Sequence, residues 1–172
     1  MKTRHLFFFI IIIFVFAGCT HRCPDDFPIN VRYFPYKKGN ILSFHNTQGD
    51  TVSSTVQKVM QNKNKNVPWG SKGLCFADYF FSSSGEVQLN GNFNAFAYPG
   101  NSHFSTISLS VDISYNKFTI FFDRYFSFEG NNYNIFGDTI LLSDGQESIT
   151  IVKNKGITEW ANGKGEVWKL IN

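Results

Sequence analysis

Hydrophobic and polar residues alternate along most of the chain beyond residue 31. The clearest run is Ile107-Ser108-Leu109-Ser110-Val111-Asp112-Ile113. Because successive side chains of a strand point to opposite faces, this period of two predicts an antiparallel strand with one buried face. Residues 87–95 and 118–128 repeat the pattern, and Arg124 interrupts the second of these runs where a β-bulge would fit.

Turn-forming residues separate the alternating runs and set the limits of the predicted strands. The strands are expected at about 40–45, 51–60, 74–81, 86–97, 104–114, 118–128, 139–143, 147–153, 156–161 and 166–171. No stretch of about twelve residues after Cys19 has a helical stripe of apolar positions. The pattern therefore predicts an all-β fold, an antiparallel meander that forms a strongly curved sheet or a barrel.

The N-terminus has a different pattern, in which Lys2 and Arg4 precede the uncharged apolar run Leu6 to Phe16. A helix that spans a membrane needs about 20 apolar residues, and this run is too short. A charged start followed by a short apolar run is typical of an export signal. A buried core helix is the alternative interpretation of a run of this length.

The apolar run ends in Phe16-Ala17-Gly18-Cys19, which resembles the lipobox of bacterial lipoproteins. The resemblance implies that the Cys19 thiol is alkylated with a diacylglyceryl group and that the signal is cut before it. It predicts a signal peptide at 1–18, a flexible tether at 19–30 and a single β domain at 31–172. Several acyl chains would anchor the protein to a membrane without a span. An ordinary secretory signal cut nearby is the alternative.

Charge balance changes once the signal is set aside. The full chain has 16 Lys and Arg against 13 Asp and Glu, and loss of Lys2 and Arg4 brings the first number to 14. The longest basic run after the signal is Lys37-Lys38. Nucleic-acid binding requires clustered Lys and Arg, so we predict no nucleic-acid partner.

Two cysteines, Cys23 and Cys75, are left if Cys19 is lipidated. In an oxidising compartment they could form a disulfide, and closing a loop of about 50 residues would stabilise the fold by roughly 3 to 4 kcal/mol. Alternatively, Cys75 is a small buried apolar residue between Leu74 and Phe76.

Both ends of the predicted domain resemble those of small Bacteroidetes envelope lipoproteins of unassigned function. The resemblance lies in Tyr33-Phe34-Pro35-Tyr36-Lys37-Lys38-Gly39, in Gly156-Ile157-Thr158-Glu159-Trp160 and in Gly165-Glu166-Val167-Trp168-Lys169-Leu170. It implies an outer-membrane location, periplasmic or surface-exposed, and carries over no catalytic residue. Asp25-Asp26 resembles a surface-export signal of such lipoproteins, although two aspartates also suit a solvated linker.

Catalytic and metal-binding templates do not fit the chain. Ser114-Tyr115-Asn116-Lys117 has the serine and lysine spacing of penicillin-interacting enzymes, but it falls in a predicted hairpin rather than on a helix. Neither His45 nor His103 has a second His or Cys at ligand spacing. We therefore predict no enzyme, no metal and no cofactor.

Aromatic residues supply the candidate binding site. In a regular strand, Phe121 and Tyr125 lie on the face opposite Phe118, Ile120 and Phe122, and Trp69 lies in a polar loop. Exposed aromatic side chains commonly mark a contact surface. We predict a non-enzymatic domain that binds a protein or a glycan through Trp69, Phe121 and Tyr125. A lipocalin-type carrier of a small apolar ligand, with an empty barrel, and a hydrolase are the alternatives.

A modification is also predicted. Asp50-Thr51-Val52 and Asp138-Thr139-Ile140 each resemble the acceptor motif of Bacteroidetes O-glycosylation. Both occur where a turn enters a strand, so Thr51 and Thr139 are candidate sites, with ordinary turn chemistry as the alternative.

Overall fold

The computed structural model describes residues 20–22, 30–63, 66–68, 75–97, 105–128 and 137–171. These residues form twelve strands and one four-residue helix. The elements are β1 (Thr20–Arg22), α1 (Asn30–Tyr33), β2 (Ile41–Asn46), β3 (Thr51–Lys63), β4 (Asn66–Pro68), β5 (Cys75–Gly85), β6 (Val87–Ala97), β7 (Ser105–Tyr115), β8 (Phe118–Phe128), β9 (Thr139–Ser143), β10 (Ser148–Val152), β11 (Gly156–Ala161) and β12 (Val167–Leu170).

Ten of the strands form one antiparallel sheet in the order β8-β7-β6-β5-β3-β2-β12-β11-β10-β9. Strands that follow each other within this sheet are paired, except β8 and β9. In addition β2 pairs with β12, which joins the two ends of the domain. The sheet curls into a nearly closed barrel whose edges are β8 and β9. The all-β class, the meander and the positions of all ten strands are confirmed.

The antiparallel register gives the barrel two different ends. One end, here called the turn end, holds short connections such as 46–50, 116–117 and 162–166. The other end, here called the plug end, holds the longer connections after β3, β6 and β8. The segment Tyr33-Phe34-Pro35-Tyr36, here called the plug, enters the barrel at this end, as its contacts with Gly137 and Ile157 show.

At the plug end, this segment packs its aromatic rings into the core. Phe34 stacks on Tyr79 with ring centroids 6.0 Å apart, and Tyr36 meets Phe81 edge-on at 4.6 Å. The Tyr36 hydroxyl accepts a hydrogen bond of 2.6 Å from the Ile157 backbone N–H. Burial raises the pKa of Tyr36 and raises that of Tyr79 to about 12. The aromatic segment Tyr33–Tyr36 and the start of β11 are therefore packed against each other.

At the turn end, the core is a second aromatic cluster. Trp160 and Trp168 are paired across β11 and β12, and their rings stack at 5.3 Å. Tyr115 packs edge-on against Trp168 at 5.2 Å, and Phe118 lies 5.9 Å from Trp160. These contacts join β7 and β8 to β11 and β12 across the barrel interior. Neither buried indole N–H of the two tryptophans has a hydrogen-bond partner among the described residues.

One local prediction is wrong. The register between β7 and β8 is regular through Leu109 and Arg124, so Arg124 does not mark a bulge. Its guanidinium instead lies 5.4 Å from the ring centroid of Phe122. Register shifts occur between Val56 and Lys58 and between Thr150 and Ile151. At the start of the predicted tether, Thr20–Arg22 forms β1, which pairs antiparallel with β4.

Candidate functional site

The outward face of β6 and β7 carries a continuous array of polar side chains, all but one of them uncharged. Its members alternate with the buried residues of the same strands, and we call this surface the amide face. It consists of Gln88, Asn90, Asn92 and Asn94 on β6, and Ser108, Ser110, Asp112 and Ser114 on β7. Asp112 is its only acidic member.

Strand register arranges the amide face in rows. Asn90 lies opposite Asp112, Asn92 opposite Ser110, and Asn94 opposite Ser108. Gly91, between the first two asparagines, faces inward, and an added Cβ there would overlap the Phe81 ring. Glycine thus lets β6 approach the large Phe81 side chain while the amides remain outside.

Hydrogen bonds within the face occupy only one end of it. Asn90 Nδ2 donates to Asp112 Oδ2 at 3.4 Å, and the hydroxyls of Ser114 and Thr119 lie 3.2 Å apart. The side chains of Asn92, Asn94, Ser108 and Ser110 make no hydrogen bond with any residue that the structure describes. Each amide offers two donor hydrogens and an acceptor oxygen, and each hydroxyl offers both functions. The middle of the face is therefore open to hydrogen bonding from outside.

Aromatic rings border the amide face on both sides, exposed on β8 and half-buried on β5. On β8, Phe121 lies beside Asp112 and is 59% exposed, and Tyr125 lies beside Ser108 and is 71% exposed. On the other side, Phe80 of β5 lies beside Asn92. At the plug end of the face, Phe96 is 40% exposed. The amides and hydroxyls thus form the floor of a surface with aromatic margins.

The dimensions follow from strand geometry. The four strands β5 to β8 are separated by three spacings of about 4.8 Å, and six residues of β6 span about 20 Å. Three charged residues extend these same rows: Asp123 beside Ser110, Asp78 beside Asn94, and Lys58, which lies one strand beyond β5 in the row of Asn90. Such a surface can hold an extended, hydroxylated and uncharged ligand by hydrogen bonds along its floor and by ring contacts at its margins.

Most of this site was missed from sequence. The structure places Phe121 and Tyr125 on the outer face, as predicted, whereas Trp69 lies outside the described residues. The sequence did contain a further signal, since Asn90, Asn92 and Asn94 occur at alternate positions opposite an alternating serine strand. Alternation within one strand predicts which positions are buried, whereas the amide face becomes visible only when strand register sets the outward positions side by side.

Both predicted modification sites are exposed. Thr51 is the first residue of β3 at the turn end, and Thr139 is the first residue of β9 at the plug end. O-glycosylation of either threonine stays a prediction.

The cysteine alternatives are resolved in one respect. Cys75 is fully buried, and it is also disulfide-bonded. Cys19 and Cys23 both lie outside the described residues, so the lipidation of Cys19 and the pairing of Cys23 stay predictions.

Other kinds of site find little support in the described part of the chain. It contains no group of three or more His, Cys, Asp or Glu residues placed to hold a metal, and no helix long and apolar enough to cross a membrane. Ser114 and Lys117 lie in the hairpin between β7 and β8, as predicted. The two aromatic clusters occupy barrel interior that a lipocalin-type carrier would leave for its ligand.

A second surface feature lies at the turn end, where an open cleft of about 550 Å³ separates two hairpin turns. It is lined by Asn116, Lys117, Phe118, Asn162, Lys164 and Glu166.

The fold places the protein among meandering antiparallel barrels with a filled core. Comparison with family models, with curated proteins and with solved structures found no match. The functional proposal therefore rests on the chemistry of the surfaces.

Proposed function

We propose that this protein is a non-enzymatic lipoprotein of the bacterial cell envelope whose β domain binds an uncharged glycan on the amide face. The observation that carries the proposal is the combination of free amides and hydroxyls with exposed aromatic margins on one sheet surface. A sugar ring presents hydroxyls at its edge and C–H groups on its faces. The hydroxyls match the Asn and Ser side chains, and the C–H groups match the electron-rich faces of Phe and Tyr rings.

A protein partner fits this surface less well. The buried centres of protein interfaces are enriched in aromatic residues, Met and Arg, and they are depleted of Ser and Asp. The centre of the amide face has the opposite composition, with Ser108, Ser110 and Asp112 on one strand and asparagines on the other. Its aromatic residues lie at the margins. This arrangement favours a hydroxylated ligand.

Affinity gel electrophoresis tests the glycan proposal. The purified protein is run through native gels that each contain one soluble neutral polysaccharide, drawn from glucans, mannans and galactans. We expect at least one polysaccharide to retard the protein. In the Phe121→Ala/Tyr125→Ala double variant, loss of two aromatic contacts weakens binding by at least about tenfold.

Leu141→Ala is the matched control, because Leu141 is an apolar residue of the outer face on the other edge strand and is 65% exposed. It is expected to bind like the wild type. Two results would contradict the proposal: no polysaccharide retards the protein, or the aromatic double variant is retarded as strongly as the control.

Membrane attachment through Cys19 forms the second part of the proposal. An alkylated Cys19 thiol cannot form a disulfide, so Cys23 would then be the remaining partner for Cys75 within the chain. Cys75 begins β5 at the plug end, and β1 pairs with β4 in the connection between β3 and β5. The anchor would therefore hold the plug end towards the membrane, and the strands of the amide face would run outwards from it.

Metabolic labelling with a fatty-acid analogue tests the anchor. We expect the wild type to be labelled and membrane-bound and Cys19→Ala to be unlabelled, because the acyl chains are its only predicted attachment. Equal labelling of the two proteins would refute lipidation at Cys19, while leaving the glycan proposal to the electrophoresis.

A further inference from the structure

The cleft at the turn end is built by two hairpin turns of different character. Asn116 and Lys117 form the turn between β7 and β8, and residues 162–166 form the turn between β11 and β12. Asn116 takes a left-handed conformation with φ 53°, which turns the chain tightly before Phe118. Both turns are fixed to the same aromatic cluster, so the cleft between them has a firm base.

Asn162 and Glu166, on the wall formed by residues 162–166, are already hydrogen-bonded within their own turn. Asn162 Oδ1 accepts hydrogen bonds from the backbone N–H groups of Lys164 and Glu166, at 3.0 and 3.1 Å. Asn162 Nδ2 donates to Glu166 Oε2 at 2.9 Å. The Glu166 carboxylate is therefore held in position by its own turn.

The two lysines of the cleft, in contrast, have no such partner among the described residues. Lys117 lies on one wall and Lys164 on the other, and both are exposed. Neither ammonium group forms an ion pair or a hydrogen bond with a residue in the described ranges. Two unpaired cations and one engaged carboxylate leave the rim with a net positive charge.

Below this rim the cleft is aromatic. Phe118 lines it and is half-buried, and its ring lies 5.4 Å from Tyr115 and 5.9 Å from Trp160. Because the Phe118 ring is partly open to the cleft and packed against Tyr115 and Trp160, it offers an apolar contact surface in a fixed position. Ligand pockets typically combine such an apolar wall with a few polar groups that fix orientation.

We propose that this cleft is a second binding site, separate from the amide face, for a small organic anion with an apolar body. Lys117 and Lys164 bind the anionic group from opposite walls, and the apolar body lies against Phe118. Because both lysines are exposed, each ion pair contributes modestly and weakens as ionic strength rises. The contact with Phe118 supplies the remaining affinity by removing apolar surface from water.

The test uses 8-anilinonaphthalene-1-sulfonate, an aromatic anion, and N-phenyl-1-naphthylamine, which has a closely similar apolar body without the sulfonate. Each is titrated into the purified protein, and its fluorescence is recorded with excitation of the tryptophans. Trp160 lies directly behind Phe118, so a probe in the cleft accepts energy from it. We expect one sulfonate probe to bind per chain with efficient energy transfer.

The lysine variants separate charge from apolar contact. In Lys117→Gln/Lys164→Gln, the dissociation constant of the sulfonate probe is expected to rise about tenfold, since two exposed ion pairs are lost. Binding of the uncharged probe is expected to stay the same. Lys155→Gln is the matched control, because Lys155 is an exposed turn lysine at the plug end, and it is expected to leave both probes unaffected.

Three results would overturn the proposal. The sulfonate probe fails to bind at a single site, it binds the lysine double variant as tightly as the wild type, or Lys155→Gln weakens it equally. None of these results depends on whether the amide face binds a glycan.

Discussion

The sheet has a long half, β5 to β8, and a short half, β9 to β12. Their outer faces differ in chemistry, although their inner faces are built by the same alternation of buried residues. In both halves of the sheet, alternate residues are buried. The strands β5 to β8 have 11 residues each, whereas β9 to β12 have 4 to 6. The outer face of the long half carries the amide face and its aromatic margins, and Asn92, Asn94, Ser108 and Ser110 have no hydrogen bond with a described residue.

The outer face of the short half is charged and internally paired. Along its central row, which continues onto β2, the neighbours are in order Thr150, Glu159, Lys169 and His45. Lys169 and Glu159 form an ion pair at 3.4 Å. A sheet needs only polar outward residues to remain solvated, and the short half meets that need with ordinary charges. The amides and exposed rings of the long half differ from this arrangement, which is why we propose that surface as the binding site.

The largest expected effect is the loss of stability on removal of a tryptophan from the core, which neither outer face should match. Trp160→Ala is expected to lower the free energy of unfolding by about 3 to 5 kcal/mol, because it removes a fully buried ring from the turn-end cluster. Trp160→Phe is expected to cost less, since it keeps an aromatic ring and removes an indole N–H that is buried without a described partner. Urea denaturation measures both. Equal losses would contradict the packing of this cluster.

The next effect compares two glycines, one in each half. Gly91→Ala is expected to destabilise the protein by about 1 to 3 kcal/mol, because its methyl group would overlap the Phe81 ring and displace it. Gly163→Ala serves as the control. Its added Cβ would lie 3.8 Å from Gln146, an ordinary contact, and a change within about 0.5 kcal/mol is expected. Thermal unfolding of the two variants would refute this account if Gly91→Ala proved as mild as Gly163→Ala.

A pH-dependent effect concerns the plug that both halves share. The unfolded chain loses its tyrosine protons near pH 10, whereas the pKa of Tyr79 in the folded protein is about 12. The stability that Tyr79 contributes is thus complete below pH 10 and is lost as the pH rises towards 12. The urea midpoint should fall across this window, and it should fall less in Tyr79→Phe. Tyr125→Phe, at an exposed ring, should keep the wild-type slope.

The smallest expected effect is the stability of the proposed binding variants. Phe121→Ala and Tyr125→Ala are each expected to change the free energy of unfolding by no more than about 0.5 kcal/mol, because their rings are largely exposed. Leu141→Ala should behave alike. A loss above 2 kcal/mol in either aromatic variant, on the order of a core deletion, would show that the rings serve the fold.

The strands could be predicted because the core imposes an alternation that is visible in local sequence. For the same reason, Phe121 and Tyr125 could be assigned to the outer face. The amide face could not be assembled in this way, since it requires the register that sets Asn92 beside Ser110 and Asn94 beside Ser108. Register depends on pairing across strands, which single-strand patterns do not contain.

The missed features share a second physical cause. The plug formed by Tyr33, Phe34 and Tyr36 has no period, and its burial arises from contacts with Tyr79, Phe81 and Ile157. The cleft likewise joins turns that are 46 residues apart, as the positions of Asn116 and Asn162 show. A charge at an inward position of a strand favours a bulge, but Arg124 lies on an edge strand, where its long side chain reaches solvent without one.

The most direct test of the central claim is to observe the side-chain amide groups themselves. The protein is labelled with ¹⁵N and titrated with an oligosaccharide from the polysaccharide that retards it in gels. We predict that the side-chain NH₂ signals of Asn92 and Asn94 shift. The signals of Asn46 and Asn162, whose amides are held within their own turns, should stay in place. Unchanged Asn92 and Asn94 signals, with shifts confined to other parts of the barrel, would contradict a glycan site on the amide face.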